Sequence, residues 1–382
     1  MSVSEAIPLT RVAISRDETE DISRLLRNAD DGTAVEALEE TVAAHLGRPW
    51  CVTAASGGTA VEIALAACDV HAGCEVILPA IGASAAIAAT QRLGATPVCA
   101  DVDPQSLCMR PEDAEKLITD QTRVIVGSTA LGCPAGLDGM AALATRSELP
   151  MVEFVGGAFG AWAGGDRVGH FGRIAVFDLG PTSPLSTGVG GMMLTNDDHL
   201  ASTMKALRNG ERALSSEGTL VVRAAALDAP LDDLRASLGL ARLGRIQATI
   251  DAREEVAATY IRRLGGNSDL ILQTIPPAVR MGWCRMIVRL SDRFSADERD
   301  EIIAGLGRHE IESAPGVQLA TDVIAPSAPG GGPWPVADRA ARRAIALPFH
   351  SSLTEREVDL VCQTLELMMQ RTSFRREATE EF

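Results

Sequence analysis

The sequence feature that most constrains the fold is a regular alternation of short apolar runs with helical patterns between residues 50 and 177. The apolar runs have the length and β-branched content of strands, and capped or amphipathic segments separate them. Such alternation builds βαβ units, which place the strands in one mainly parallel sheet covered by helices on both faces. The predicted fold class is therefore α/β, with ligands expected beyond the carboxyl ends of the strands.

The chain divides into three predicted regions. Residues 1–32 are polar and are predicted to be an arm with a helix at 18–27, residues 33–240 form a large domain, and residues 241–382 form a smaller α/β domain. Predicted strands of the large domain are 50–53, 75–78, 97–100, 123–126, 151–154 and 174–177. Its predicted helices are 33–46, 59–68, 83–93, 111–117, 137–146 and 197–207. Residues 211–229 are predicted to be an irregular loop.

The C-terminal third of the chain shows a second, shorter alternation. A helical pattern runs from about 231 to 264, and strands are predicted at 284–290 and 344–347. Helices are predicted at 296–306 and 354–370, with a Pro/Gly-rich loop at 325–335.

Charge and composition exclude several classes of function. The net charge of −16 argues against nucleic acid or an anionic membrane as a partner, because either requires a basic surface. The N-terminus lacks a basic segment followed by an apolar one, and no apolar run approaches the roughly 20 residues that span a bilayer. We therefore expect a soluble cytoplasmic protein. The eight cysteines lack CxxC spacing, so we expect buried apolar residues, without a metal site or disulfides.

The stretch from Phe177 to Gly191 is the strongest candidate for a functional turn. A strand there runs into a turn of proline, serine and threonine and then into a glycine cluster. Strand ends followed by such reversals commonly carry functional groups. The chain has only two lysines, Lys116 and Lys205, and neither lies in this stretch.

From about residue 35 to the final helix, the chain resembles the DegT-type sugar aminotransferases. The similar stretches are Ala54-Ala-Ser-Gly-Gly-Thr-Ala-Val-Glu-Ile-Ala-Leu65, Gly73-Cys-Glu-Val-Ile-Leu-Pro79, Gly94-Ala-Thr-Pro-Val-Cys-Ala-Asp-Val-Asp103, Leu207-Arg-Asn-Gly210 and Ala346-Leu-Pro-Phe349. The resemblance implies an aspartate-aminotransferase-like, three-layer large domain and a smaller C-terminal domain. It also implies pyridoxal phosphate (PLP) chemistry and a homodimer with pockets at the subunit interface, and a heteromer with a homologous enzyme is an alternative.

Carried over residue by residue, the resemblance implies that several cofactor contacts differ in this chain. Ser183 stands where the family has its Schiff-base lysine, and Phe154 stands where an aspartate meets the pyridine nitrogen. Gly157 replaces a glutamine beside the ring, and Ala83 replaces the aromatic residue that stacks on it. A hydroxyl forms no Schiff base, and a phenyl ring cannot keep the ring nitrogen protonated.

The phosphate contacts are retained only in part. Ser56, Gly57, Gly58 and Thr59 match the turn that opens a helix at the phosphate, and Thr182 lies near the family serine. The alternative is that these small residues only make a tight turn. Asp228 matches an asparagine that the partner subunit contributes, where a carboxylate would repel phosphate.

Three residues are candidates for catalysis in the vacated pocket. Glu153 and Asp178 lie at predicted carboxyl ends of strands, where a general acid or base can face a ligand, and Ser183 lies in the turn beyond. The alternative is structural: Glu153 accepts hydrogen bonds within the fold and Asp178 caps the turn.

Three functional hypotheses follow from these substitutions. The first is an enzyme that has lost PLP-dependent transamination and acts, without any cofactor, on an amino-sugar or secondary-metabolite intermediate. The second is a catalytically silent partner or regulator of an active biosynthetic enzyme. The third is an enzyme that binds PLP or pyridoxamine phosphate (PMP) without a covalent link. The first two are favoured, and no cofactor is expected.

Overall fold

A seven-stranded sheet organises the computed structural model, which describes residues 6–12, 14–28, 33–129, 131–209, 212–214, 220–222, 227–324 and 332–380. The first nine strands of the described chain, seven of them in the main sheet, are β1 Trp50–Ala54, β2 Glu75–Pro79, β3 Thr96–Ala100, β4 Thr122–Ser128, β5 Met151–Gly156, β6 Trp162–Ala163, β7 Asp166–Arg167, β8 Ile174–Asp178 and β9 Gly191–Thr195. The short β6 and β7 pair with each other in a separate small sheet.

The main sheet is parallel except for one strand. Its order is β1-β9-β8-β5-β4-β2-β3, and β9 runs antiparallel to both of its neighbours. The other pairs, β2 with β3 and β4, β4 with β5, and β5 with β8, are parallel. The carboxyl ends of β2, β4, β5 and β8 therefore meet at one edge of the sheet, as the sequence predicts for a ligand site.

Helices cover both faces of this sheet, as its apolar strands require. In chain order they are α1 Arg16–Asn28, α2 Thr33–Leu46, α3 Gly57–Ala67, α4 Ser84–Arg92, α5 Pro111–Glu115, α6 Leu137–Arg146 and α7 Asp198–Asn209. Buried residues lie on both sides of the sheet in two clusters, one of which includes Val52, Val76 and Val124 and the other Cys51, Ile77 and Ile125. The alternation of these neighbours shows that successive side chains fill opposite layers.

The long helical pattern predicted from 231 to 264 is two helices. They are α8 Asp233–Leu243 and α9 Ile246–Leu264, separated by Gly244 and by Arg245, whose φ of −119° is not helical. The prediction of one continuous helix is therefore wrong. The break lets α8 pack against α2 and α1 while α9 continues towards the C-terminal part of the chain.

A four-stranded antiparallel sheet forms the C-terminal unit. The remaining elements are β10 Arg212–Leu214, β11 Leu220–Val222, β12 Leu270–Leu272, β13 Val279–Arg280, β14 Met286–Leu290, α10 Ala296–Arg308, β15 Ala314–Pro315, α11 Pro335–Arg343, β16 Ala344–Leu347 and α12 Glu355–Glu380. The sheet order is β12-β14-β16-β15. The helix α12 packs against α9 and α10 and extends ten residues past its predicted end at 370.

One predicted loop differs from the structure, and another lies mostly outside the described residues. Within 211–229, predicted to be irregular, β10 and β11 pair as antiparallel strands. Most of the Pro/Gly loop predicted at 325–335 lies outside the described residues. Near the N-terminus, Ile7 forms a bridge with Ile311, so the start of the chain contacts the C-terminal unit.

The interior contains the predicted cysteines and one charged pair. All eight cysteines are buried and unpaired as disulfides. Arg208 donates to Glu39 at 2.5 Å, and Glu39 also accepts from the backbone N–H of Thr53 at 2.8 Å. In the described part of the chain, no group of residues has the spacing of a metal site, and no helix has the length and apolar character needed to cross a membrane.

We expect Glu39→Gln to lower the free energy of unfolding by about 3 kcal/mol, because it leaves the buried guanidinium of Arg208 without a counter-charge. Urea denaturation measures the change. The matched control is Glu115→Gln, which removes an exposed partner of Arg146 and should cost less than about 1 kcal/mol. Equal losses of unfolding free energy for the two variants would show that the buried pair contributes no more to stability than the exposed pair does.

Candidate functional site

A cavity of about 200 Å³ opens at the carboxyl edge of the main sheet. Each of the four central parallel strands contributes to its walls. The lining residues from this side are Ile81, Gly82, Ser84, Ala85, Ser128, Thr129, Leu131, Phe154, Val155, Gly156, Gly157, Asp178 and Thr182. This is the edge at which the parallel topology predicts a ligand site.

The opposite wall comes from the C-terminal unit. Cys284, Arg285, Gly316 and Gln318 line it, the first two from the segment that leads into β14. Ser84 donates to the amide oxygen of Gln318 at 2.9 Å, which joins the two walls at one point. The cavity therefore depends on both units of the chain, as ligand sites between domains commonly do.

A buried arginine joins the walls at a second point. Arg253, on α9, donates to the carbonyl oxygens of Thr182 at 2.6 Å, Ser183 at 3.3 Å and Trp283 at 3.2 Å. Burial lowers the pKa of Arg253 to about 10, and its Cζ lies 5.9 Å from the centroid of the Phe349 ring. The guanidinium thus ties the turn after β8 to the segment that carries Cys284 and Arg285.

Two opposite charges face the cavity. Asp178 ends β8 and accepts from the backbone N–H of Gly180 at 3.1 Å. Burial raises the pKa of Asp178, although the Gly180 N–H and the charge of Arg285 favour its ionised form. Arg285 is exposed, and among the described residues no side chain hydrogen-bonds or ion-pairs with it. A carboxyl with a raised pKa and an exposed cation therefore share one cavity.

The predicted anion site at the start of α3 lies behind Asp178. Ser56 caps the helix by accepting from the N–H of Thr59 at 3.1 Å, and the two hydroxyls lie 2.9 Å apart. A Cβ on Gly57 would stand 2.7 Å from Asp178 Oδ1, so only glycine fits beside this carboxylate. Neither Ser56, Gly57, Gly58 nor Thr59 lines the cavity. In this arrangement the carboxylate stands between the helix start and the cavity.

Two of the three predicted catalytic residues do not line the cavity. Glu153 is fully buried and accepts from the N–H groups of Gly169 at 2.6 Å, Phe171 at 2.9 Å and Gly172 at 3.1 Å. Burial raises the pKa of Glu153, but its contacts hold a loop. Ser183 is buried, and its hydroxyl accepts from the N–H of Leu185 at 3.2 Å. The expectation that Glu153 and Ser183 face the pocket is therefore wrong, and both serve the local fold.

The structure separates the remaining predicted ligand contacts. Phe154, Gly157 and Thr182 line the cavity. Ala83 does not, because its side chain is buried in the core where α4 begins. Asp228 is exposed, and its neighbour Ala229 accepts from the N–H of Ala55 at 2.9 Å, near α3 and outside the cavity.

Neither lysine reaches the cavity. Lys116 pairs with Asp113 at 2.9 Å on the surface, and Lys205 Nζ lies 5.5 Å from the centroid of the Trp50 ring. The described residues that line the cavity therefore include no primary amine.

Sequence reasoning missed the wall contributed by the C-terminal unit. Arg285 was placed inside a predicted strand at 284–290, but the strand begins at Met286, which leaves Arg285 in the lead-in segment at the cavity. Gln318 belongs to a segment with no regular pattern. A basic residue immediately before an apolar run was the only available signal, and it is too common to single out a site.

The fold and the site together define the class of protein. A mainly parallel seven-stranded sheet with one antiparallel strand, a smaller antiparallel unit and a cavity between them is the aminotransferase-like α/β architecture. The putative sugar aminotransferase Spr1654 from Streptococcus pneumoniae, whose solved forms include PMP and PLP forms, superposes with a TM-score of 0.89. The two are 21% identical, with 97% of this chain and 100% of that chain covered.

Sequence comparisons give the family. The profile described as the DegT/DnrJ/EryC1/StrS aminotransferase family matches residues 12–366. The UDP-N-acetyl-3-dehydro-alpha-D-glucosamine 3-aminotransferase of Acidithiobacillus ferrooxidans is 31% identical, with 94% of this chain and 96% of that protein covered. The UDP-2-acetamido-2-deoxy-3-oxo-D-glucuronate aminotransferase of Pseudomonas aeruginosa is 28% identical, with 90% and 94% covered. The chain belongs to the DegT/DnrJ/EryC1/StrS aminotransferase family.

These findings correct two predictions made from the sequence. The expectation that the protein has lost PLP-dependent transamination, as a cofactor-independent enzyme or as a silent partner, is contradicted because the family and both relatives are named as aminotransferases. The expectation of no cofactor is contradicted on the same ground, and the structural neighbour has been solved in PLP and PMP forms.

We expect Asp178→Asn to stabilise the fold increasingly as the pH rises from about 4 to 8. Burial raises the pKa of Asp178. The wild-type carboxyl therefore contributes most to the stability of the fold at pH values below its unfolded-state pKa. That contribution is lost as the pH rises through the folded-state pKa. Asparagine stays neutral and can keep the bond from Gly180. Urea denaturation of both proteins across this range measures the difference.

The matched control has the opposite sign. Arg173 and nearby N–H groups lower the pKa of Asp197, so Asp197→Asn should become more destabilising as the pH rises from about 2 to 5 and should change little above that range. A difference between Asp178→Asn and wild type that does not change with pH would contradict the assigned environment of Asp178.

Proposed function

We propose that the protein is a sugar aminotransferase that uses PLP and PMP in the cavity at the sheet edge, holding the cofactor by contacts alone. The observation that carries this proposal is the placement of Asp178 and Arg285 in one cavity, at the carboxyl edge of an aminotransferase-like sheet, without a lysine. Of the three hypotheses drawn from the sequence, this non-covalent enzyme is the one compatible with the family.

The chemistry of the cavity fits such a cofactor without a covalent link. Phe154, Ile81 and Leu131 supply apolar surface for a flat aromatic ring, and the hydroxyls of Ser84, Ser128, Thr129 and Thr182 supply polar contacts. Arg285 supplies the cation that a phosphate requires. Among its described lining residues, the cavity lacks an amine that could form a covalent link. Ser183, which matches the family lysine, accepts a hydrogen bond at its hydroxyl from the N–H of Leu185.

Each of three residues would hold a different part of the cofactor. Arg285 would bind the phosphate, because it is the exposed cation on the cavity wall. Thr182 would donate its hydroxyl, which has no partner among the described residues. Phe154 would pack against the ring in place of the aspartate that the family has there. The start of α3 is screened by Asp178, so the phosphate is expected on the Arg285 side.

Asp178 is the residue best placed to move a proton. When bound, the cofactor supplies the amino group and delocalises the charge that develops next to it. Asp178 would take up and return a proton at its carboxylate oxygens. A raised pKa suits this task, because it brings the acid closer to the working pH. Arg285 faces the same space and keeps part of the carboxylate population ionised.

The substrate proposed is a nucleotide-linked keto sugar. The names of the two relatives each specify a UDP-linked sugar with an oxo or dehydro group at position 3. The hydroxyl and amide groups of Ser84, Ser128 and Gln318 on the cavity wall are of the type that binds sugar hydroxyls. These groups would orient the carbonyl carbon towards the side of the cavity that carries Asp178.

We expect Arg285→Gln to weaken PLP binding at least about tenfold, since a hydrogen bond to a charged group contributes roughly 1.5–3 kcal/mol. Isothermal titration with PLP measures the dissociation constant. Arg280→Gln is the matched control, because Arg280 pairs with Glu254 at 2.7 Å on the surface and does not line the cavity. Equal affinities for Arg285→Gln and wild type would remove Arg285 from the phosphate site.

The function is tested by supplying PMP with a set of UDP-linked 3-keto sugars and following the amino sugar by mass spectrometry and PLP by its absorbance. We expect product from wild type and from Asp197→Asn. For Asp178→Asn we expect at least about a hundredfold loss, the usual contribution of a general acid or base. Bound PMP without product from any keto sugar in the set, or full activity of Asp178→Asn, would contradict the proposal.

A further inference from the structure

Two cysteines from separate loops meet beneath the wall of the cavity. Cys108 precedes the bridge between Val102 and Met109, and Cys133 lies in the turn between β4 and α6. The Cys108 thiol lies 3.3 Å from the backbone oxygen of Cys133 and 3.6 Å from that of Ser106, and it is close enough to the Cys133 thiol to lower the pKa of that group. Both residues are buried, with 3% and 2% of their surface exposed. The two sulfur atoms are therefore held together by the native fold.

The Cys133 thiol differs from several other buried cysteines in the direction of its pKa shift. The hydrogen bond from Cys108, together with the backbone N–H of Ala135, lowers the pKa of Cys133 despite burial. By contrast, burial raises the pKa of Cys99 and of Cys362 to about 12. Since the thiolate is the reactive form, Cys133 is the one positioned to react first.

A narrow cleft leads to Cys133. Its volume of about 10 Å³ is close to the minimum for a single water-sized molecule. Besides Cys133, its walls include Leu131, Ser106, Met281 and Arg289. A cleft of this size admits at most an oxidant as small as hydrogen peroxide beside Cys133 and excludes a bulky disulfide such as oxidised glutathione.

The loop that carries Cys133 also forms part of the ligand cavity. Leu131 lines both the narrow cleft and the main cavity. The backbone oxygen of Gly132 accepts from the N–H of Gly282 at 2.9 Å, two residues before Cys284 on the opposite wall. Gln273 also donates to the oxygen of Leu131 at 3.0 Å. The loop of Cys133 therefore contacts residues on both sides of the cavity.

We propose that Cys108 and Cys133 form a reversible disulfide on exposure to a hydroperoxide, and that this bond weakens ligand binding by displacing the Leu131 wall. Disulfide formation is independent of the proposed function, whereas the effect on binding rests on it. The juxtaposed thiols, the cleft to Cys133 and the shared Leu131 carry the inference.

The reaction is balanced with hydrogen peroxide as oxidant. The Cys133 thiol first releases its proton, the thiolate attacks one peroxide oxygen, and the O–O bond breaks to give a sulfenic acid and hydroxide, which becomes water with the released proton. The Cys108 sulfur then attacks the Cys133 sulfur, the S–O bond breaks, and the second hydroxide leaves as water with the Cys108 proton. Two thiols are oxidised to one disulfide, and one peroxide is reduced to two waters.

The test is a titration of the full chain with hydrogen peroxide, followed by alkylation and peptide mapping without reductant. We expect the number of free thiols to fall by two from eight, with a peptide pair joined through Cys108 and Cys133 that dithiothreitol separates. Cys108→Ser and Cys133→Ser should abolish the linked pair. Cys99→Ser, a buried cysteine with a raised pKa, should retain it. Retention of all eight thiols, or stable over-oxidation of Cys133 with no linked pair, would overturn the proposal.

The second measurement is the dissociation constant of PMP for the reduced and oxidised protein. We expect oxidation to weaken binding at least about fivefold, the lower end of typical coupling between two sites. Cys108→Ser should bind PMP equally before and after peroxide. Formation of the Cys108–Cys133 disulfide without a change in PMP affinity would overturn the proposed effect of the disulfide on ligand binding. Failure of the reduced protein to bind PMP would instead contradict the proposed function, while the thiol count still decides disulfide formation.

Discussion

The cavity depends on one buried arginine. Arg253 has no carboxylate partner among the described residues, and its charge is solvated by the carbonyl oxygens of Thr182, Ser183 and Trp283. A buried cation is costly unless it is hydrogen-bonded. Moving any of these carbonyl oxygens away would leave the charge of Arg253 less well solvated, and this cost opposes such a movement. Because they belong to opposite walls, the arginine sets the spacing between the sheet edge and the C-terminal unit. The Ser84–Gln318 bond and the Gly132–Gly282 bond fix the same spacing at two further points.

Within this frame, the charges of the cavity are arranged differently from what the family resemblance implies. The carboxylate of Asp178 lies against Gly57 at the start of α3, where the family pattern suggests a phosphate. Arg285 supplies a cation on the other wall. The position that matches the lysine is occupied by Ser183, whose backbone oxygen and hydroxyl are both used to build the turn. The proposal that the cofactor is held by contacts alone fits this arrangement of charges and side chains.

The sequence predicts the large sheet well because each strand is a short apolar run that can be recognised from neighbouring residues alone. The helices α2 Thr33–Leu46 and α6 Leu137–Arg146 agree with their predicted bounds. The helical pattern at 231–264 is weakened at Gly239 and at Gly244, and the sequence alone does not show that the second of these ends a helix, because tertiary packing decides where the chain bends. The site was predicted in part: Asp178, Phe154, Gly157 and Thr182 line the cavity. Arg285 was not predicted, since only the folded chain brings it to the sheet edge. Glu153 looked catalytic because its partners, the N–H groups of Gly169, Phe171 and Gly172, carry no sequence signal.

Two measurements test most directly whether the cofactor is held by contacts alone. The first is the intact mass of the protein after borohydride reduction in the presence of saturating PLP, and the second is the stoichiometry of PLP binding from titration. We expect one PLP bound per chain, removable by dialysis, with no gain in mass after reduction. Stoichiometric gain of one phosphopyridoxyl group, mapped to Lys116 or Lys205 and abolished in Arg285→Gln, would contradict the claim that the cofactor is held by contacts alone. Absence of any PLP binding would contradict the proposed use of the cavity.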